Sequence, residues 1–399
     1  MRIAVVTPIP TPYRDPFWNV VAAQPGVELE VFYCSAGKAD RPWQVDWQRR
    51  FHSEVLPGVN LAAWRGADAS CQWNPAIVSR LKAGRYDAII VGGYNHPTMW
   101  AAMRCARRSG VPYFLMCESH LRRKRGAVRR WAKEYLVRRA VQGAAGLFPT
   151  GRLAREYLLH YGARPEDIEL LPNVPDVEAL ADTARRLRPE RELLRRRLGL
   201  GGGFVVLFAG RLIPKKRPGL LLRAFRQLGR PDARLVIVGD GPLRGELEQT
   251  ARDFGLEGSV LFPGFVQPPA MPEWYAAADL FVLPSSETWG VVVIEALASN
   301  LPVVVSDEVG CHPDVVTEAV GTVVPARDEA ALAGALRDAS GKHTFREDTE
   351  RQWRTVSEHS CYASLAHRLL ARISQSRRNA KSIGRSRSDQ HVACSMRPT

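Results

Sequence analysis

Short, mostly apolar runs alternate with amphipathic stretches along nearly the whole chain. Ile3–Val6, Leu29–Tyr33, Ala88–Val91, Tyr113–Met116 and Gly146–Pro149 read as strands. Asp15–Gln24, Pro75–Ala83, Pro97–Ser109, Arg122–Ala140 and Leu153–Tyr161 carry apolar residues at helical spacing between them. Strands buried on both faces look like continuous apolar runs, and their alternation with helices predicts a parallel sheet with helical crossovers.

The pattern breaks over residues 176–203, where Arg185-Arg-Leu-Arg-Pro189 and Gly201-Gly-Gly203 have little strand character. It then resumes. Phe204–Ala209, Arg234–Val238, Val260–Phe262, Leu280–Leu283, Pro302–Ser306 and Thr322–Val324 are strand-like. Pro218–Leu228, Leu243–Phe254, Pro272–Ala278, Gly290–Ser299 and Glu329–Ala339 are helical. The expected organisation is an α/β chain with a first doubly wound domain over 1–180, a linker over 181–203 and a second such domain over 204–343. C-terminal helices over 344–373 are expected to pack back toward the first domain, and 374–399 to form a disordered basic tail.

Composition adds a partner class. The chain has 399 residues, 45% of them hydrophobic and 24% charged, enough for two domains of ~100–200 residues each. The formal net charge of +15 suggests an anionic partner: nucleic acid, a membrane surface or a phosphorylated ligand. Its distribution separates these. Residues 1–170 are net +11 and the last 26 residues net +5, whereas 201–373 are net −3. A nucleic-acid protein needs a continuous basic groove or a recognisable motif, and no zinc knuckle, RNP-like strand or helix-turn-helix pattern is visible. Seven scattered cysteines without a C-x-x-C pair suggest reduced thiols rather than a disulfide frame or zinc site. The N-terminal apolar run is too short for a signal peptide, and no run approaches the ~20 residues of a membrane span. A cytoplasmic protein is expected, free or peripheral on the inner face of the membrane.

Three segments carry candidate chemistry. In Phe208-Ala-Gly210-Arg211-Leu-Ile-Pro-Lys215-Lys216-Arg217-Pro218, a buried strand ends in glycine and arginine, and three cations precede a helix. That is an anion site or a solvated basic turn. Val236-Ile-Val-Gly239-Asp240-Gly241-Pro242 is a strand–glycine turn–helix start without Walker spacing. In Pro284-Ser-Ser-Glu287-Thr288-Trp289-Gly290-Val291…Glu295, one carboxylate lies before a helix and one inside it. The N–H groups of residues 288–291 open at the helix start.

Taken together, these residues resemble retaining glycosyltransferases of the family-4 type, which have the GT-B fold of two facing Rossmann-like domains. The resemblance rests on the seven-residue interval between Glu287 and Glu295, on Gly210, Arg211 and Lys216, on Gly239-Asp240-Gly241 and on Gly264-Phe265-Val266, in that family's order. It is close over 204–326 and looser at Thr150-Gly151, Pro172-Asn173-Val174 and the first strand. It implies transfer of a sugar, with retention, from a UDP-, GDP- or ADP-linked donor to a saccharide or lipid-linked acceptor of the cell envelope, without cofactor or metal. Arg211 and Lys216 would bind the diphosphate, and Glu295 the ribose. Glu287 with the backbone of Thr288, Trp289, Gly290 and Val291 would hold sugar and pyrophosphate. Phe265 and Val266 would lie against the base, and Gly239 would leave room for the nucleotide. An epimerase of the same fold is the alternative.

The first domain departs from the family. The loop after its first strand, Thr7-Pro-Ile-Pro-Thr-Pro-Tyr13-Arg14, has no glycine. His120 is the candidate for a catalytic, cleft-facing histidine, and Arg14, Tyr94, Asn95 and His96 are acceptor-side candidates. Residues 104–139 hold 12 Lys/Arg against two Glu. The helix expected over 121–139, with Val128, Trp131 and Tyr135 on one face, could lie on an anionic bilayer.

Overall fold

The computed structural model describes residues 1–37, 43–44, 48–65, 69–121, 127–341, 353, 357 and 360–394. Two six-stranded sheets, each wholly parallel, form its frame. The first contains β1 (Arg2–Thr7), β2 (Glu28–Tyr33), β3 (His52–Val55), β6 (Ala88–Val91), β7 (Tyr113–Cys117) and β8 (Gly146–Pro149), in the order β3-β2-β1-β6-β7-β8. The small antiparallel pair β4 (Val59–Asn60) and β5 (Gln72–Trp73) lies outside it. The second contains β9 (Val205–Ala209), β10 (Arg234–Val238), β11 (Val260–Gly264), β12 (Leu280–Leu283), β13 (Val303–Ser306) and β14 (Gly321–Val324), in the order β11-β10-β9-β12-β13-β14. The apolar runs are the interior strands. Every residue of β6, β7, β9, β12 and β13 is buried, because helices cover both faces.

In both sheets the chain starts in the middle, builds outward on one side, then crosses to the other. The reversal lies between β1 and β6 in the first domain and between β9 and β12 in the second. Loops leaving the carboxyl ends of two such strands diverge and leave a crevice, which is where doubly wound sheets bind ligands.

The junction is more ordered than a linker. Helices α6 (Val177–Leu187) and α7 (Arg191–Arg197) occupy much of 181–203. Asp176 caps α6 by accepting from Ala179 N at 3.0 Å. Arg195 is 5% exposed. It donates to Ala277 O at 2.8 Å and Gly203 O at 3.0 Å, and it shares the Asp279 carboxylate with Arg191. The arginine-rich composition that looks like a solvated linker is therefore partly a buried clamp on the second domain.

The C-terminal helix, Tyr362–Cys394, crosses back to the first domain. Arg372 pairs with Asp167 at 2.8 Å, Arg368 with Glu169 at 2.7 Å and Arg377 with Asp87 at 2.6 Å. Residues 374–394, expected to be disordered, continue that helix. The stretch is rich in Ser and Arg and carries Gly384, but it has no proline before Pro398 to break a helix already nucleated on the protein.

The basic helix runs over Ala127–Gln142, and residues 122–126 lie outside the described residues. Its buried line is Val137, Ala140 and Val141, the spacing that faces a sheet. Tyr135, expected on the apolar face, is 59% exposed and stands beside exposed Leu136, Arg138 and Arg139. The side chains of Val128 and Trp131 lie outside the described residues. Among the described residues no helix is long and apolar enough to cross a membrane.

Candidate active site

The second-domain crevice holds the central pair. Lys216 Nζ lies 2.5 Å from Glu287 Oε1, with the two side chains 12% and 13% exposed. Gly210 and Arg211 leave β9, the segment Pro284–Glu287 leaves β12, and three contacts join the two loops. Ser286 N donates to Lys215 O at 3.0 Å, Arg217 donates to Pro284 O at 2.8 Å, and Lys216 meets Glu287. Arg217 adopts φ 51° at the start of helix α8 (Pro218–Arg226) and also pairs with Glu308. This pair holds the Glu308 carboxyl below its usual range. Arg217 and Glu308 are thus supports for the Lys216–Glu287 pair. Nothing in the spacing of Glu308 pointed to this.

The donor-side loop is stitched to the segment after β13. Glu287 N donates to Glu308 O at 3.1 Å, Gly310 N to Glu287 O at 3.2 Å and Cys311 N to Trp289 O at 2.8 Å. Gly290 has φ 113°, which turns the chain into α11 (Val291–Ala298). The first backbone hydrogen bond of that helix is Val293 N to Gly290 O at 3.0 Å. The preceding N–H groups of Gly290, Val291 and Val292 therefore open at the positive end of the helix, beside Lys216. Thr288 is exposed there.

Glu295 is one and a half turns into α11. It accepts from Tyr275 Oη at 2.7 Å, and burial pushes its carboxyl above the usual range despite that bond. Phe265 is 38% exposed, directly after Gly264 at the end of β11, with Val266 half-buried behind it. Because β11, β10, β9 and β12 are adjacent, their carboxyl ends place Phe265, the Gly239 turn, Arg211 and Glu287 in one row.

Gly239 has a structural purpose of its own. Its φ is 130°, and a Cβ there would lie 1.9 Å from Gly210 O. Its amide donates to Gly264 O at 2.8 Å. The glycine is required so that the turn can pack on the Gly210–Arg211 loop.

Trp289 also does more than lend its backbone. Its side chain is 4% exposed and reaches into the first domain, where Nε1 donates to Asn173 O at 2.7 Å. It covers Gly151, where a Cβ would lie 2.4 Å from Trp289 Cζ3 and 2.6 Å from Asp314 Oδ2. Asp314 in turn accepts from Arg152 N at 3.0 Å, capping helix α5 (Arg152–His160) from the other domain. Burial raises the Asp314 carboxyl. Asp314 was not singled out from the sequence, since a cap supplied by another domain has no local signature.

In the first domain the candidates divide. Tyr94 is 8% exposed, hydrogen-bonded to Ser119 Oγ at 2.8 Å and Tyr157 Oη at 2.6 Å, so it is a core residue rather than an acceptor ligand. His96 is 5% exposed and its Nδ1 accepts from Gln72 N at 3.1 Å, which makes it a structural histidine. Both corrections have one cause: the strand-end loop Gly92–His96 folds under β5 and α3 (Pro97–Arg108) instead of opening to the cleft. Asn95 is exposed and His120 half-buried, three residues past β7. Arg14 flanks the crevice between β1 and β6 and lies 4.0 Å from Glu118 Oε1.

These elements have counterparts in known proteins. Residues 190–355 match the family model described as glycosyl transferases group 1, and residues 20–174 match a glycosyl transferase 4-like domain. A D-inositol 3-phosphate glycosyltransferase of Frankia alni is 33% identical over 360 residues, 78% of this chain and 81% of that protein. A GDP-mannose-dependent alpha-(1-6)-phosphatidylinositol monomannoside mannosyltransferase of Mycolicibacterium smegmatis is 35% identical over 182 residues, 43% of this chain and 46% of that one. The chain spans about half the length of most of the first relatives it matches. Among solved structures, Anabaena Alr3699/HepE in complex with UDP superposes with a TM-score of 0.72 at 19% identity, covering 94% of this chain and all of that one. WaaG, a glycosyltransferase involved in lipopolysaccharide biosynthesis, has a TM-score of 0.67 at 20% identity, covering 92% and 98%.

Proposed function

This chain belongs to the group 1 glycosyltransferases of the family-4 type, with the GT-B fold, and on that premise we propose that it moves a sugar from a nucleoside-diphosphate donor to a phosphate-bearing or lipid-linked saccharide acceptor, with retention of anomeric configuration. The observation that carries this reading is the Lys216–Glu287 pair at the β9/β12 crevice, beside the open N-terminus of α11. With no donor bound, the carboxylate neutralises the lysine. An arriving diphosphate exchanges with it: Lys216 and Arg211 take the phosphate oxygens, and Glu287 turns to sugar hydroxyls. Glu295 accepts from the ribose, and Phe265 offers an aromatic face to the base.

When the anomeric C–O bond breaks, the electron pair leaves with the nucleoside diphosphate. The charge that develops there meets two cations and helix N–H groups already in place. The acceptor oxygen bonds to the same face of the sugar, and its proton passes to the departing phosphate oxygen. Positive charge from Arg211, Lys216 and the helix suits a mechanism that runs without a divalent metal, so transfer should survive EDTA.

Candidates for the donor come from the relatives: the Mycolicibacterium protein is named GDP-mannose-dependent, and HepE was solved with UDP and with UDP-glucose. Phosphate-bearing acceptors fit the names of the inositol phosphate and phosphatidylinositol enzymes. The exposed Tyr135, Leu136, Arg138 and Arg139 would rest on an anionic cytoplasmic leaflet. The test is a thermal-shift panel of UDP, GDP, ADP and their sugars, followed by transfer assays with the binding donors. If no nucleotide sugar raises the melting temperature and none is consumed, the reading is wrong. Co-sedimentation with phosphatidylglycerol vesicles, but not phosphatidylcholine vesicles, tests the membrane contact.

A further inference from the structure

Arg211, Lys216 and the N-terminus of α11 all belong to the second domain. The facing wall has a buried cation of its own, Arg14, and its set of partners is incomplete. A guanidinium has five N–H donors. Among the described residues, the Arg14 side chain has one ion-pair partner, Glu118 Oε1 at 4.0 Å, although the arginine side chain is only 14% exposed. That distance is beyond a hydrogen bond. Glu118 is itself 43% exposed and accepts a second contact, from Asn173 Nδ2 at 3.2 Å.

A neighbouring pair sets the comparison. One residue on, Asp15 is 3% exposed and fully engaged, accepting from Arg49 Nε at 2.8 Å. Buried charges in folded proteins are normally paired and hydrogen-bonded, because desolvation costs more than a distant partner returns. Burial accordingly pulls the Arg14 pKa down from its ordinary value, with Glu118 opposing only in part.

The backbone that carries this arginine is held at two points. Arg14 N donates to Thr11 Oγ1 at 3.2 Å, and Tyr13 O accepts from Tyr362 Oη at 3.0 Å, which pins the turn under the C-terminal helix. The position is also the right one for a ligand. Arg14 ends the loop that leaves the carboxyl end of β1, where the first sheet reverses, and immediately precedes the helix Asp15–Ala22. Tyr362, whose Oη donates to Tyr13 O, lies within electrostatic reach of both Arg14 and Glu295.

We propose that Arg14 binds a phosphate oxygen of a substrate, giving the first domain its own anion site opposite Lys216. A phosphate matches the planar fork of a guanidinium with two parallel hydrogen bonds. The phosphate comes either from the donor diphosphate or from the acceptor. The inference rests on the nucleotide-sugar reading for the first source and is independent of it for the second.

Wild type, Arg14→Gln and Arg14→Lys would be titrated calorimetrically with UDP, GDP and D-inositol 3-phosphate. Arg14→Gln should bind either the nucleotides or the inositol phosphate at least tenfold more weakly, and Arg14→Lys should recover part of the loss. The probe that suffers identifies the source. Without probes, Arg14→Gln should melt at or above the wild-type temperature, since it removes an under-compensated buried charge. Affinities within twofold of wild type for all three probes would overturn the proposal, as would a lowered melting temperature with binding intact. Arg14-dependent binding of D-inositol 3-phosphate without any nucleotide binding would sink the donor reading and leave the Arg14 site standing. Wild-type protein that binds none of the three would end both.

Discussion

Replacing Gly151 by alanine places one methyl group between the two domains. The added carbon would lie 2.4 Å from Trp289 Cζ3, 2.8 Å from Trp289 Cη2 and 2.6 Å from Asp314 Oδ2. Contact between such atoms is comfortable only near ~3.5–4.0 Å, so the domains must part by roughly 1 Å or Trp289 must leave its rotamer. Gly151 is extended, with φ −176°, a conformation alanine adopts freely, so the cost falls on the interface alone. Overpacking of this kind costs about 1–3 kcal/mol. Displacement also threatens the Trp289–Asn173 and Asp314–Arg152 hydrogen bonds, at about 0.5–1.5 kcal/mol each. With a factor of ten for each ~1.4 kcal/mol, the closed arrangement should lose roughly ten- to a hundredfold in population. Since Trp289 is part of the donor loop, kcat/KM should fall by a similar factor while each domain keeps its core. Steady-state rates and the radius of gyration from solution scattering measure the two effects. A double-mutant cycle with Trp289→Ala sharpens the test, because removing the indole makes room for the methyl and the two losses should not add. If Gly151→Ala keeps wild-type rates, the interdomain contact has no part in catalysis.

Four further outcomes are expected. Lys216→Ala should lower kcat about 10²–10³-fold, the usual effect of losing one group that stabilises developing anionic charge, with a native circular dichroism spectrum; single-turnover rates within tenfold of wild type would exclude it as a leaving-group cation. Tyr275→Phe deprives the Glu295 carboxylate of its 2.7 Å donor and should cost about 1.5–3 kcal/mol in urea unfolding, with weaker nucleotide binding. For Asp314 the folded-state pKa lies above the unfolded value, so the ionised form is disfavoured by folding, and stability is gained as pH falls through the raised folded pKa. Asp314→Asn keeps a capping oxygen and loses the charge. It should therefore be at least as stable as wild type at pH 7.5, with the difference shrinking on acidification in urea titrations; a large loss at pH 7.5 would contradict this. Arg195→Ala strands Asp279 with one fewer partner and should cost about 3–5 kcal/mol of second-domain stability, seen as an earlier thermal transition.

The strands were legible because a strand covered on both faces must be apolar throughout. β6, β7, β9, β12 and β13 stand out as such runs. The edge strand β3 does not, for His52-Ser-Glu-Val55 is polar and half exposed. The charged helix α7 was hidden for the opposite reason: Arg195 within it is buried by partners more than 80 residues away. Among the site residues, Lys216, Glu287 and Glu295 could be picked out because a strand end, a glycine and a helix start fix their spacing. Tyr94 and His96 were misplaced because a loop at a strand end can fold outward to the cleft or inward under its neighbours, and local sequence is the same in both cases.

The sequence by itself determined the alternation of buried strand and crossover helix, the break between two domains, and the local turns that set cations and carboxylates at strand ends. These follow from periodicity, glycine and helix termini, all of which act over a few residues. Tertiary structure decided what each of those side chains faces. It made Gly239 a crossing of two backbones, and turned Trp289 from a loop residue into a contact between domains. It also left Arg14 buried, among the described residues, against a single distant carboxylate. Such outcomes depend on atoms brought together from distant parts of the chain, where the cost of burying a charge or fitting a methyl group is set by the partner and not by the neighbour in sequence.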